Sequence, residues 1–428
     1  MFGGQTGNPN TGNAGATPPA ISLHSRVGRP RMLVSPEQQR AYLLVSVQAA
    51  SAQPQRRLPV NLCFVLDTSA SMKHDGKLEA VKVAVQTLIG QMAQQDVVSV
   101  VAFSDHASVV IQAQRVTNAA ALQAILAPLE ARGGTQMGQG IEYGLAELRK
   151  GQAMQAVTRM IVLTDGHTAN EKTCQRHAQE ARRLGIPLYP FGVGAEWDEQ
   201  FLDEIGELSG GEPAVFLPRS AEVLDAFRQQ VLRAMAVVAR DAVLTVDLAP
   251  GVEVRRVMRA APQMALLDEP APAARPRVEL ALGEIEQGPP QMFLLDLGLA
   301  LAQPGRVWLA HAELTYDLPE QQAAAGRLAT DAVIEAVVDP KETEATDAQV
   351  MQIADRATAY RLVKTALDEY HRTGRVTSRL SPHILAMLDP QTRAVLEQIS
   401  AGAPKATVGA DNLKAAAQKT RRLTDKTW

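Results

Sequence analysis

Three short motifs of this 428-residue chain carry hydroxyl and carboxylate side chains that could hold a metal ion. The motifs are Asp67-Thr-Ser69-Ala-Ser71, Gly133-Gly-Thr135 and Leu163-Thr-Asp165-Gly166. The candidate ligands are Asp67, Ser69, Ser71, Thr135 and Asp165. They offer two carboxylates and three hydroxyls, with no cysteine or histidine among them. Donor sets made only of oxygen select hard cations, and octahedral Mg²⁺ is the ion that suits this set best.

Such a donor set does not fill the coordination shell of the ion. Water or an oxygen atom from another molecule must complete it, and the neutral hydroxyls leave the metal much of its positive charge. The metal could therefore attract an Asp or Glu of a partner protein. Gly133 and Gly134 permit the close backbone approach that would bring the Thr135 hydroxyl to the ion. A plainer interpretation is that the hydroxyls cap the helix beginning near Lys77 or stabilise turns.

The segments around these motifs predict a parallel α/β sheet. From Val60 to about Ala239, short apolar runs alternate with helical patterns, which is typical of a sheet covered on both faces. The apolar runs are 62–66, 97–103, 160–163 and 187–193, and the helical patterns are 77–92, 118–126, 138–149, 173–184, 199–208 and 221–238. Because ligands gather beyond the carboxyl ends of such strands, we expect the three motifs to meet at one edge of a doubly wound sheet.

The segments on either side of this region predict further domains. Residues 21–57 and 240–340 are strand-like and contain no crossover helix, which favours one antiparallel β-sandwich with residues 58–239 inserted into it. Residues 345–400 are predicted to be helical. We expect residues 1–20 to be a disordered leader and residues 401–428 to be a flexible basic tail.

The three motifs, in this order and at predicted strand ends, resemble the metal-ion-dependent adhesion site (MIDAS) of the von Willebrand factor type A (VWA) domain. All five ligand positions match that pattern, and the resemblance covers roughly residues 58–240. It implies a Rossmann-like fold, a Mg²⁺ or Mn²⁺ ion, and binding of a carboxylate from a partner protein. In this family the hydroxyls usually contact the metal and the Asp residues often act through water, so direct and water-mediated ligands stay unassigned. The insertion also resembles integrin β chains and bacterial relatives.

The predicted function is a non-enzymatic, metal-dependent protein-interaction module of a bacterial cytoplasm. One alternative is a metal-assisted hydrolase or phosphoryl-transfer enzyme that uses the same ion. Against it, Asp67-Thr-Ser69 lacks the second Asp of the haloacid-dehalogenase-like Asp-x-Asp pattern, and no Gly-x-x-x-x-Gly-Lys-Ser/Thr loop occurs. A second alternative rests on Arg421-Arg-x-Thr424, which resembles a substrate of a basophilic Ser/Thr kinase. The phosphothreonine would be read by a forkhead-associated domain, making the chain a kinase-regulated scaffold.

Composition excludes several other classes. The chain has 43 basic and 46 acidic residues, a net charge of −3, which argues against general nucleic-acid binding. No stretch approaches the roughly 18 apolar residues of a membrane span, and the first residues lack the basic and apolar regions of a secretory signal. Cys63 and Cys174 cannot form a disulfide framework or a zinc site at their spacing.

Overall fold

The computed structural model describes residues 21–49, 58–151, 156–168, 170–194, 196–267, 277–318, 325–377 and 380–423. These residues form one six-stranded sheet flanked by helices, two five-stranded sheets and a group of C-terminal helices. The predicted leader (residues 1–20) and Thr424 lie outside the described residues. No helix among the described residues is both long and apolar enough to span a membrane.

The central sheet holds six strands in the order β6-β5-β4-β7-β8-β9. Their bounds are β4 (Val60–Asp67), β5 (Val97–Phe103), β6 (Ala107–Arg115), β7 (Val157–Thr164), β8 (Leu188–Val193) and β9 (Val215–Leu217). All neighbours are parallel except β5 and β6. Every residue of β4, β5, β7 and β8 is buried, as expected for strands covered on both faces. The predicted doubly wound α/β architecture is confirmed.

Six helices cover the two faces of this sheet. They are α1 (Lys77–Gln91), α2 (Ala119–Leu126), α3 (Met137–Gly151), α4 (Glu171–Arg183), α5 (Glu199–Leu208) and α6 (Val223–Met235). Side chains alternate between the faces along β4, so that Phe64 packs under α1 and α6 while Val65 packs under α3 to α5. Each face of the sheet is therefore covered by its own apolar layer beneath the helices.

The remaining strands form two sheets that share one apolar core. They are β1 (Ile21–Val27), β2 (Arg31–Leu33), β3 (Ser35–Ala49), β10 (Val237–Leu248), β11 (Glu253–Ala261), β12 (Ala265–Leu267), β13 (Arg277–Glu286), β14 (Gln291–Leu301), β15 (Gly305–Asp317) and β16 (Ala325–Val337). Their orders are β1-β3-β14-β11-β12 and β13-β10-β15-β16-β2, antiparallel apart from β16 with β2. Strand β3 precedes the central domain and pairs with β14, which follows it, so the central domain is an insertion.

Five helices follow the sandwich. They are α7 (Ala348–Thr373), α8 (Pro382–Met387), α9 (Pro390–Ser400), α10 (Lys405–Val408) and α11 (Ala410–Arg421). Helix α7 begins at Asp347, whose side chain accepts hydrogen bonds from two backbone amides, and ends at Gly374, which has a φ of 72°.

The C-terminal segment differs from the flexible tail that its composition predicts. Over residues 405–421 it forms α10 and α11, because Val408, Leu413 and Ala416 are buried in the apolar cluster of the C-terminal helices. Helix α11 also reaches the central domain, where the Lys414 ammonium donates a 2.6 Å hydrogen bond to the carbonyl of Trp197. A segment rich in Ala, Lys and Thr therefore packs as an ordered element because a few apolar side chains share one face.

Candidate metal centre

The first motif begins at the end of β4, an inner strand, at the carboxyl edge of the central sheet. Asp67 is the last residue of β4 and is fully buried. The amide of Ser69 donates a 2.7 Å hydrogen bond to Asp67 Oδ1. The amide and the hydroxyl of Thr68 donate to the carbonyl of Phe103 at the end of β5, at 2.8 and 3.0 Å. These bonds turn the chain sharply after β4 and hold the Asp67 carboxylate at the sheet edge.

The third motif lies beside the first because β4 and β7 are parallel neighbours, with Leu66 opposite Leu163. Asp165 follows β7 directly and is fully buried. The Thr164 hydroxyl donates a 2.6 Å hydrogen bond to Asp67 Oδ2, which ties the two strand ends together. The two carboxylates that the sequence marks as ligands are therefore neighbours at one edge.

Side-chain hydrogen bonds connect both serines of the first motif to Asp165. The Ser71 hydroxyl donates to Asp165 Oδ1 at 2.7 Å, and Ser69 Oγ lies 3.1 Å from Ser71 Oγ. Four of the five residues predicted as ligands, all but Thr135, thus form one continuous hydrogen-bonded network.

The second motif docks on this network through its backbone. The carbonyl of Gly133 accepts from the amide of Ala70 at 3.1 Å. Gly133 has a φ of +76°, and a Cβ at this position would lie 2.3 Å from an Asp105 carboxylate oxygen, so glycine is required here. The Thr135 carbonyl accepts a 3.1 Å hydrogen bond from the Thr168 hydroxyl. Among the described residues, Thr135 joins the site through its backbone, without a side-chain hydrogen bond to either carboxylate.

Lys77 completes the cluster, and sequence reasoning missed it. Its ammonium donates a 2.7 Å hydrogen bond to Asp165 Oδ2, and its side chain is only 13% exposed. In the sequence, this lysine is recognisable only as the residue near which α1 begins. One signal was available: it is a cation placed at the N-terminus of a helix, where the helix dipole disfavours positive charge.

The electrostatics of the cluster leave negative charge in excess. Burial raises the pKa of Asp67 to about 6; the Ser69 and Thr164 hydrogen bonds oppose this rise, and the charge of Asp165 adds to it. Within the described part of the chain, the two buried carboxylates of the cluster face a single ammonium, that of Lys77. Buried charge without a full counter-charge is unfavourable, so the cluster has the electrostatic character of a cation site.

The donor chemistry fits a hard divalent cation. No group of three or more His, Cys, Asp or Glu side chains placed to hold a metal occurs among the described residues. A cation held by Asp67 and Asp165 would therefore take its other ligands from hydroxyls and water. Mg²⁺ and Mn²⁺ accept such all-oxygen shells, whereas a closed zinc site uses nitrogen and sulfur ligands.

Comparisons with known proteins agree with this architecture. A family profile described as von Willebrand factor type A domain matches residues 61–230. The uncharacterized protein sll0103 of Synechocystis sp. is 30% identical over 345 residues, covering 78% of this chain and 80% of that protein. A solved von Willebrand factor type A protein from Catenulispora acidiphila superposes with a TM-score of 0.71 at 17% identity, over 93% of this chain and 96% of that one. The ArnB paralogue VWA2 from Sulfolobus acidocaldarius gives 0.56 at 13% identity, over 95% and 99%.

Proposed function

The chain belongs to the von Willebrand factor type A family. We propose that its cluster around Asp67 and Asp165, at the carboxyl edge of the central sheet, is a MIDAS that binds a partner protein through a metal ion. VWA domains are generally protein-interaction modules, and some of them depend on a MIDAS metal. The proposed ion is Mg²⁺ or Mn²⁺, and the proposed contact from the partner is an Asp or Glu carboxylate.

One observation carries this proposal: two fully buried carboxylates, Asp67 and Asp165, lie in one hydrogen-bonded cluster, and among the residues that the structure describes only one ammonium lies beside them. The residues proposed to hold the ion are Asp67, Ser69, Ser71, Thr135 and Asp165. When bound, the ion supplies a positive charge with a coordination position left open for an oxygen of the partner.

The other residues of the cluster orient these ligands. The Thr164 hydroxyl and the Ser69 amide fix both oxygens of Asp67, at 2.6 and 2.7 Å. The Ser71 hydroxyl holds one oxygen of Asp165. A site built on strand ends and held in this way is preorganised, so less conformational freedom is lost on binding.

We propose no catalytic step at this site. A hydrolase using Asp67 and Asp165 as base and acid would need one of them free to exchange a proton with substrate. Each of the two instead accepts hydrogen bonds from two donors of the chain itself. Turnover of generic phosphoesters that disappeared in Asp67→Ala would instead support the metal-assisted hydrolase or phosphoryl-transfer alternative.

Two further proposals rest on the sequence. We propose a cytoplasmic location, and we propose that Thr424, which lies outside the described residues, is a site for a Ser/Thr kinase whose product binds a forkhead-associated protein. Intact-mass measurement of the natively expressed protein tests the phosphorylation. A mass without added phosphate contradicts it.

The proposed function is tested by affinity capture from a lysate of the native host, with the full chain immobilised. We expect a set of proteins captured in Mg²⁺ to be lost in EDTA and also lost from Asp67→Ala and Asp165→Ala. The matched control is Asp75→Asn, which removes an exposed carboxylate from the same loop. Capture that is undiminished in EDTA would show that the interaction does not use a metal.

A further inference from the structure

We propose that Lys77 is a built-in counter-ion that competes with the divalent cation for Asp165 and so sets how tightly the metal binds. The proposal deepens the metal-dependent function above and rests on it. It assigns a role to a residue outside the MIDAS motifs. It also predicts that removing the Lys77 charge increases the affinity for the metal ion, whereas most substitutions at a binding site reduce affinity.

The contacts of Asp165 place Lys77 in competition with a metal ion. Both carboxylate oxygens are occupied by donors of the chain, Oδ1 by the Ser71 hydroxyl and Oδ2 by the Lys77 ammonium, each at 2.7 Å. A cation that binds this carboxylate directly either displaces one of these donors or shares an oxygen with it, since each carboxylate oxygen has two lone pairs. A cation that binds it through water still lies close to the ammonium, and two positive charges at such a distance repel each other strongly where water is largely excluded.

The location of Lys77 at the start of α1 also points to this role. It is the first residue of α1, and the residue before it, Gly76, has a φ of 63° and offers no side chain to cap the helix. A lysine at a helix N-terminus opposes the helix dipole and gains nothing from the helix itself. Its ammonium is stabilised instead by the buried Asp165 carboxylate, which indicates that its place is set by the charge of the cluster.

The packing around the ammonium involves the turn after β8. Gly194 follows β8 with a φ of +73° and lies beside Lys77, since a Cβ there would be in van der Waals contact, 3.6 Å, with the ammonium nitrogen. The Gly194 turn is fixed by the indole of Trp197, which donates a 2.7 Å hydrogen bond to the Gly194 carbonyl. Gly194 thus lies against the Lys77 side chain, whose ammonium donates its hydrogen bond to Asp165.

The charge balance gives the consequence. With Lys77, two carboxylates and one ammonium leave one negative charge, and a divalent cation turns the cluster net positive. Without Lys77, the cluster holds two negative charges and a divalent cation neutralises it. Lys77 therefore weakens metal binding and leaves the loaded site positive, which favours the carboxylate of a partner.

The test is a calorimetric titration of the full chain with Mn²⁺ alone. We expect Lys77→Met to bind Mn²⁺ at least about tenfold more tightly than the wild type, because removing a charge this close to the ion changes its binding by more than one decade. Lys77→Arg keeps the charge and should stay within about threefold of the wild type. Lys73→Met is the matched control, because it removes an exposed positive charge from the same loop and should change nothing.

The outcomes separate this proposal from the proposed function. If the wild type binds Mn²⁺ and Lys77→Met binds it equally well or more weakly, the proposed role of Lys77 is wrong and the metal site remains supported. Absence of Mn²⁺ binding in both proteins overturns both proposals. Circular dichroism checks the fold of each variant. If Lys77→Met misfolds, Lys77→Gln replaces it, because this variant removes the charge and retains a hydrogen-bond donor. Lys77→Gln should show the same gain in Mn²⁺ affinity.

Discussion

Strand β7 connects two charged clusters that differ in how fully their charges are matched. Near its start, Arg159 is fully buried and its guanidinium donates 2.7 Å hydrogen bonds to Glu284 and Glu286 of β13 in the sandwich. Just beyond its end, the equally buried Asp165 meets Lys77. The first cluster joins the central domain to the sandwich, and the second is the candidate metal centre.

The joint between the two domains has enough positive charge for its carboxylates. Arg233 donates to both oxygens of Glu212, at 2.8 and 2.7 Å, and to Glu286 at 2.8 Å. Arg159 serves Glu284 and Glu286, and the charge of Arg240 lies near enough to act on Glu284 as well. Among the described residues, these three carboxylates thus face at least three guanidinium groups.

Burial raises the pKa of Glu284 in the joint as well as that of Asp67, so the contrast between the two clusters lies in Glu212. Burial by itself raises the pKa of Glu212, but the charge and hydrogen bonds of Arg233 hold that pKa below its ordinary value. Asp67 is also fully buried, and burial raises its pKa to about 6. Among the described residues, no guanidinium or ammonium hydrogen-bonds to this carboxylate to oppose the rise. The paired charges of the joint bind the two domains to each other, whereas we propose that the unpaired negative charge at the sheet edge binds a metal ion.

The largest expected effect comes from breaking the matched cluster. Arg159→Met removes the fully buried guanidinium and leaves the partly buried Glu284 without its 2.7 Å ion pair, while Glu286 keeps Arg233. This substitution should lower the free energy of unfolding by about 3–5 kcal/mol. Urea unfolding of the full chain measures this change. Arg228→Met is the control, since Arg228 makes only a 3.9 Å ion pair with the exposed Asp225 and should cost about 1 kcal/mol or less. A loss of that small size for Arg159→Met would show that the joint does not depend on its charge pairing.

A metal ion should stabilise the unmatched cluster. At a Mg²⁺ concentration roughly a hundredfold above the dissociation constant, binding to the folded state alone adds about 2.7 kcal/mol to the stability of the wild type. Differential scanning calorimetry in Mg²⁺ and in EDTA should show this gain as a rise in melting temperature. Asp165→Ala should melt at the same temperature in both buffers. An equal rise in Asp165→Ala would place the stabilising ion elsewhere on the molecule.

A smaller effect is expected from the ligand that the structure joins least closely to the others. Thr135→Val removes one hydroxyl while keeping the shape of the side chain, and it should weaken Mn²⁺ binding about tenfold, equivalent to about 1.4 kcal/mol. The titration used for Lys77 measures it, and Thr87→Val, on the far part of α1, serves as the control. Unchanged Mn²⁺ affinity in Thr135→Val would mean that the Thr135 hydroxyl does not contact the metal and that this loop only positions the other ligands.

Much of the fold could be predicted from the sequence because its strands are short, apolar and regularly spaced. The outer strands of the central sheet were missed for physical reasons. Strand β6 is an antiparallel edge strand with polar and apolar residues mixed, and β9 has only three residues, so neither forms a clear apolar run. Helix α11 was missed because its burial depends on contacts with distant parts of the chain, such as Trp197.

The candidate site was predictable where its residues lie in compact motifs at strand ends. Asp67, Ser69, Ser71 and Asp165 lie together because parallel strands end at a common edge. The role of Lys77 was not predictable, since its partner lies 88 residues away along the chain. The partners of Arg159 were hidden for the same reason, because they belong to a different domain.

The most direct test of the unmatched-charge account is anomalous diffraction from crystals of the full chain soaked in Mn²⁺. We expect a manganese peak next to the side chains of the proposed ligands, and we expect that peak to be lost in Asp165→Ala. The proposed ligands are Asp67, Ser69, Ser71, Thr135 and Asp165. Crystals that bind manganese elsewhere, or not at all at a millimolar concentration, would contradict it.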